Sequence, residues 1–155
     1  MPLSNNDIML ALLATDSYNR GYGQGIAGLG GQGSRLGGAT IIDESDIESG
    51  SDGVDAGFYA IAYDWNGQTV ISYRGTDGFL TDGPNGYGIG LGVPGGPQAK
   101  LAVEFYKQVL AGRLGTTAEA LTGEQMRDSG IIVTGHSLGA GLAANDNHPP
   151  QALAA

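Results

Sequence analysis

The fold class is set most firmly by IIVTGHSLG, residues 131–139. Its first four residues are aliphatic or β-branched and lie between Gly130 and Gly135, which predicts a short buried strand. The pattern G-x-S-x-G follows, and its two glycines allow a strand to turn sharply into a helix. Residues 138–144, LGAGLAA, are small enough for a helix packed close under a sheet. We therefore predict an α/β fold, with helices on the faces of a sheet.

Ser137 is the candidate nucleophile of this turn, which holds its serine in a strained, exposed position. The motif alone is weak in a chain with 29 glycines, because short glycine patterns arise often by chance. The strand before it and the small residues after it supply the required context. They favour a catalytic serine over a turn without chemistry.

The amino-terminal third alternates between ordered and glycine-rich segments. One of the polar residues at positions 4–6 caps a helix that ends near Tyr18. Because apolar side chains surround most of its axis, we expect this helix to be covered on several sides. Residues 21–38 are rich in glycine and without periodicity, which predicts a long loop. The acidic residues 43–55 predict a solvated connection.

A hairpin and an amphipathic helix occupy the middle of the chain. Residues 58–64 and 69–73 are β-rich and flank an Asn-Gly dipeptide, which favours a type I′ turn. Further along, Pro97 suits the first turn of a helix over residues 98–111. A shorter helical turn is expected within residues 118–127. The apolar face of the longer helix, which should pack on the sheet, comprises Leu101, Ala102, Phe105 and Val109.

A second motif, VISYRGTD at residues 70–77, lies on the second strand of the predicted hairpin and just beyond it. Read together with GHSLGAGLA at residues 135–143, it makes the chain resemble the class 3 (triacylglycerol) lipases. The order of helix, hairpin, RGT turn, amphipathic helix and serine turn also fits that family. The likeness covers about residues 4–143.

The resemblance implies a partial α/β-hydrolase sheet with flanking helices and a serine carboxylic ester hydrolase acting through a Ser137 acyl-enzyme. It also implies that the backbone amides of Thr76 and Leu138 stabilise the oxyanion. Arg74 is expected to be an ion-pairing residue or loop anchor. No long apolar lid is visible, so short-chain esters are the expected small-molecule or lipid substrates. No cofactor is expected.

The carboxy-terminal residues depart from the pattern of that family, in which an Asp and then a His follow the serine by many tens of residues. This chain ends at residue 155. We therefore expect residues 1–144 to be the amino-terminal part of a hydrolase domain, apparently truncated after the serine turn, and residues 145–155 to be an atypical tail. His148 is the candidate base, within one chain or across a dimer. His136 is expected to be structural.

A non-catalytic interpretation stays open beside the enzymatic one. Without its later neighbours, the strand at residues 131–134 would present an apolar edge, and such an edge invites pairing with another chain. The alternative is therefore a truncated lipase fragment that acts as an associating or binding module. In either case we expect a homo-oligomer formed through this edge.

Composition excludes several other classes of function. A net charge of -9, from 7 basic and 16 acidic residues, repels polyanions, so nucleic acid is not an expected partner. With no Cys and two His, no metal site is expected. No apolar run approaches the roughly 18 residues of a membrane span, and no cleavable signal segment is visible. The compartment stays open between the cytoplasm and export without such a signal.

Two weaker patterns fail when their context is considered. Residues 23–28 match G-x-G-x-x-G, but no strand precedes them and no helix follows, so a dinucleotide site is not supported. The acidic residues 43–48 lack the spacing of a calcium loop. We interpret both segments as solvated loops.

Overall fold

The computed structural model describes residues 4–21, 26, 28–46, 50–74 and 97–136. Four α-helices, one 3-10 turn and five strands are present in these ranges. In chain order they are α1 (Asn5–Asn19), β1 (Arg35–Leu36), β2 (Ala39–Glu44), α2 (Asp52–Asp55), β3 (Ala60–Trp65), β4 (Gln68–Tyr73), α3 (Pro97–Leu114), the 3-10 turn (Ala118–Ala120), α4 (Gly123–Arg127) and β5 (Ile132–Gly135).

The five strands form one sheet in the order β1-β2-β3-β4-β5. The first four are antiparallel neighbours. Two-residue turns join β1 to β2 and β3 to β4, whereas the connection from β2 to β3 is longer and includes α2. The fifth pairs with β4 in parallel, and the chain between them includes α3, which supplies the long connection that parallel strands need. The prediction of a mixed α/β fold with helices flanking a sheet is confirmed at this level.

The β3–β4 hairpin forms as its turn residues predict. Asn66 and Gly67 have φ angles of 54° and 79°, the left-handed values that a type I′ turn requires at both central positions. The Gly67 amide donates to the Asp64 carboxylate at 2.9 Å. Trp65 pairs with Gln68 directly beside the turn, so the turn sets the register of the whole hairpin.

Helix α1 begins at a capping box, as the polar residues at its start predict. The Ser4 hydroxyl accepts from the Asp7 amide at 3.1 Å, and the Asp7 carboxylate accepts from the Ser4 amide at 3.0 Å. The prediction of cover on several sides is wrong, because Ile8 and Leu12 are 45% and 50% exposed. The buried residues of α1 lie on one face, which packs on the sheet.

The sheet carries a buried cluster on each face, because neighbouring strand residues point to opposite sides. Phe58 and Tyr59 show this alternation, since each packs in a different cluster. The first cluster, on the α3 face, comprises Phe58, Ala60, Ala62, Ile71, Tyr73, Ala102, Phe105, Val109, Leu110 and Ile131. The second, on the α1 face, comprises Leu13, Ala39, Ile41, Tyr59, Ile61, Tyr63 and Val70.

Helix α3 begins at Pro97 as predicted and packs three of the four predicted residues fully. Leu101 is only partly buried. Gln98, by contrast, is buried and donates to the Ala56 carbonyl at 2.8 Å, a contact that hydrophobic periodicity cannot reveal. The Tyr73 hydroxyl donates to the Ala102 carbonyl at 3.1 Å and ties this helix to the sheet.

Two segments predicted as loops contain regular structure. β1 falls within residues 21–38. A turn in which Gly37 has a φ of 57° joins it to β2, which begins at Ala39. Asp43 and Glu44 belong to β2, and α2 lies inside the expected solvated connection. The pattern misled because these elements are short and end in polar residues.

The predicted strand at residues 131–134 forms as β5, but its expected burial is only partly met. All four of its residues are half-buried. The strand is the last in the order of the described sheet, which leaves it less covered than β3 or β4. Within the described ranges, no helix is long and apolar enough to cross a membrane.

Candidate active site

The candidate site lies where the carboxyl ends of the parallel strands β4 and β5 are side by side. We call this end of the two strands the sheet edge of the site. The two strands are parallel neighbours in a register that pairs Tyr73 with Gly135. The His136 amide donates to the Tyr73 carbonyl at 3.3 Å, so the pairing continues to the last described residue of β5's segment. Arg74, which begins the RGT motif, and His136, inside the serine motif, therefore leave the sheet side by side.

The predicted site residues themselves, Ser137, Thr76 and Leu138, lie outside the described residues. His148, the candidate base, does so as well. The structure thus describes the strands and anchors that lead into both motifs. It brings together the carboxyl ends of β4 and β5, from which the two motifs continue.

Arg74 is a loop anchor, as expected, and it is 4% exposed. Its backbone amide donates to the Tyr59 carbonyl at 2.9 Å. One terminal guanidinium nitrogen, Nη1, donates to the Arg20 carbonyl at 3.0 Å, and the guanidinium carbon lies 5.1 Å from the centre of the Tyr59 ring. A cation at that distance over an aromatic face is attracted by the ring quadrupole.

Arg20 joins three segments at this edge. It follows α1 as the C-cap residue, with φ -109° and ψ 174°. Its Nε donates to the Asp16 carboxylate at 2.6 Å, and its Nη1 donates to the Gly30 carbonyl of the glycine-rich loop. The two paired side chains are 6% and 8% exposed, so this is a buried, charge-assisted contact. The carbonyl of the same residue accepts from Arg74.

Two tyrosines add hydrogen bonds to nearby carboxylates: Tyr59, just before β3, and Tyr63, within it. The Tyr63 hydroxyl donates to the Asp16 carboxylate at 2.9 Å, and the Tyr59 hydroxyl donates to the Glu44 carboxylate at 3.1 Å. Burial, and then the adjacent carboxylate, raises the pKa of each phenol well above its usual value. Both tyrosines therefore stay protonated hydrogen-bond donors at neutral pH.

A pair of fully buried serines also connects α1 with β4. The Ser17 and Ser72 hydroxyl oxygens are 2.8 Å apart, and Ser17 donates to the Ala14 carbonyl at 2.9 Å. Because the Ser17 proton is used in that bond, Ser72 is the donor between the two hydroxyls. Ser72 pairs with Thr134 across the β4–β5 ladder, so the contact lies close to the candidate site.

His136 is the only histidine in the part of the chain that the structure describes. It is exposed, and its ring centre lies 5.0 Å from that of Tyr18, with the rings tilted by 53°. This tilted contact joins the end of α1 to the end of β5. It agrees with the expected structural role of His136.

Sequence reasoning missed the polar contacts that join Asp16, Arg20 and Tyr63. An Asp and an Arg four residues apart on a helix usually form a solvated ion pair, so the spacing alone gave no reason to expect burial. Comparisons with family models, curated proteins and solved structures found no match to this chain. The resemblance to class 3 lipases therefore rests on its two sequence motifs.

Proposed function

We propose that this chain is a serine carboxylic ester hydrolase with an α/β-hydrolase-like sheet, similar to class 3 lipases. The observation that supports it best is the parallel pairing of β4 with β5. Two motifs far apart in sequence, each with a proposed part in the same reaction, follow neighbouring strands at one edge of the sheet. Open α/β sheets bind their ligands beyond the carboxyl ends of parallel strands.

In the proposed reaction, the Ser137 hydroxyl oxygen attacks the ester carbonyl and forms an acyl-enzyme as the alcohol leaves. Water then hydrolyses the acyl-enzyme and restores the serine. The backbone amides of Thr76 and Leu138 donate to the oxyanion, and one such donor is worth about 3–4 kcal/mol in the transition state. His148, from the same chain or a neighbouring one, is the proposed base. Short-chain esters are the proposed substrates.

Hydrolysis of p-nitrophenyl butyrate by the purified protein tests this proposal. We expect activity that the Ser137→Ala variant loses by at least about a thousandfold, since a serine hydrolase without its nucleophile keeps only residual catalysis. Ser34→Ala is the matched control, because it removes a serine hydroxyl from the loop directly before β1 and should leave the rate unchanged. Equal rates for wild type and Ser137→Ala would refute the enzymatic function.

A second candidate is a non-catalytic module that associates through β5. This strand is last in the order of the described sheet, and its residues are half-buried, so its outer edge has no strand partner among the described residues. Such edges pair readily with other chains. Light scattering at micromolar concentration tests this function: we expect a dimer or larger species whose share rises with salt, as screening weakens repulsion between copies of net charge -9. A monomer at low salt and at high salt would exclude self-association at this protein concentration.

A further inference from the structure

We infer that Asp16, Arg20 and Tyr63 are positioning residues that hold Arg74, the first residue of the RGT motif, in place. This inference deepens the proposed ester hydrolysis and rests on it for its catalytic consequence. Its structural part stands on the described contacts alone.

The contacts form an unbroken series from the middle of the sheet to its edge. The Tyr63 hydroxyl and the Arg20 Nε both donate to the Asp16 carboxylate, at 2.9 and 2.6 Å. The Arg20 carbonyl then accepts from the Arg74 guanidinium at 3.0 Å. Each side chain in the series is at most 8% exposed, so water does not compete effectively for these bonds.

The direction of the Arg20 carbonyl is set by the side chain of the same residue. The last carbonyls of a helix have no partner within the helix and must find one elsewhere. Two bonds, to Asp16 and to the Gly30 carbonyl, hold the Arg20 side chain, and the extended backbone at this C-cap turns the carbonyl towards Arg74. The helix end therefore presents an acceptor at a defined point of the sheet edge.

The next residue restricts the geometry further. Gly21 has a φ of 77°, and a Cβ at this position would lie 2.6 Å from the Tyr59 ring. Only glycine fits, so the chain leaves α1 in close contact with the ring over which the Arg74 guanidinium lies. Arg74 is thereby held from two sides, by a carbonyl and by an aromatic face.

Stability alone gives a poor account of this arrangement. A buried ion pair contributes little net stability compared with apolar residues of the same volume, because both charges must be desolvated. Its bonds do have fixed directions, which apolar contacts lack. A donor to an oxyanion must be held within about 0.5 Å of its productive position, and a directional series of bonds suits that requirement.

The Tyr63→Phe variant tests the inference, because it removes one bond to Asp16 and keeps the ring. Tyr106→Phe is the matched control: it also removes a tyrosine hydroxyl, which is half-buried and contacts the Met126 carbonyl and the Ser129 hydroxyl, but on α3. We expect Tyr63→Phe to lower kcat for p-nitrophenyl butyrate about tenfold with KM unchanged, a part of the effect of losing an oxyanion donor. Tyr106→Phe should stay within about twofold of wild type.

Backbone hydrogen exchange supplies a readout that does not depend on activity. We expect the Arg74 amide, which donates to the Tyr59 carbonyl, to exchange at least about tenfold faster in Tyr63→Phe than in wild type, and at the wild-type rate in Tyr106→Phe. Asp16→Asn should show a larger effect in the same direction. If wild type lacks Ser137-dependent hydrolysis, the proposed function fails, and exchange still decides the structural part. Unchanged exchange at Arg74 in both Tyr63→Phe and Asp16→Asn would overturn the inference.

Discussion

The two faces of the sheet are built differently. On the α3 face the buried cluster is mainly aliphatic and aromatic, and its polar links to the helix are few. On the α1 face, buried charges and hydroxyls lie among the apolar residues and bond across from helix to sheet. Apolar burial supplies most of the stability of a fold but little direction, whereas hydrogen-bonded charges supply direction at a cost in desolvation. Arg74, the last described residue after β4, contacts the face that is richer in directional bonds.

Breaking the ion pair on the α1 face should have the largest effect. Asp16→Ala leaves the Arg20 charge buried without its carboxylate, and we expect a loss of about 3–5 kcal/mol in the free energy of unfolding. Urea titration measures it. Replacing both residues with methionine should restore much of the loss, since no unpaired charge remains. If the double variant is as unstable as Asp16→Ala, the ion pair stabilises the fold more than apolar side chains do at the same positions.

Removing an apolar side chain from the other face should cost somewhat less and resist such rescue. Leu110 is 1% exposed within the α3-face cluster, and Leu110→Ala should lower the free energy of unfolding by about 2–4 kcal/mol, through lost burial and the cavity left behind. Leu114→Ala on the same helix is the matched control. That side chain is 46% exposed, so its removal should change stability by less than about 1 kcal/mol. Similar losses from both variants would contradict the packing described for α3.

The smallest effect should appear at alkaline pH, on the α1 face. Folding raises the pKa of Tyr59 and Tyr63 above the unfolded value of about 10. Their contribution is therefore fully present below about pH 10 and is lost as the pH rises further, because the unfolded chain gives up these protons first. Unfolding in urea at pH 8 to 11 should show a shallower loss for Tyr63→Phe than for wild type. An identical slope would argue against burial of the Tyr63 hydroxyl.

Local signals predicted much of the fold. The Asn66-Gly67 turn, the capping residues before α1 and Pro97 each act within a few residues, so the sequence alone is enough to identify them. Short elements such as β1 and α2 carry too few residues for periodicity to appear, and they were predicted as loops. The α/β class followed from the strand and turn at residues 131–139.

The candidate site was predictable only in part, because its surroundings depend on tertiary packing. The register of β4 with β5, which the sequence analysis did not predict, gives the two motifs neighbouring starting points. The roles of Asp16 and Arg20 depend on which face of α1 meets the sheet, and helical spacing does not reveal that. Glu44 is likewise predicted to lie in a solvated acidic run, whereas its contact with Tyr59 depends on the tertiary fold.

The packing of α1 against β5 also has a consequence for the order of folding. The two elements lie near opposite ends of the described chain, yet they touch, and the rings of Tyr18 and His136 meet. Contacts between distant parts of a chain close large loops and form late and slowly. During synthesis α1 leaves the ribosome long before β5, so its contacts with β5 cannot form until the end of the described chain has been made. Until β5 is synthesised, the residues of α1 that contact this strand stay exposed.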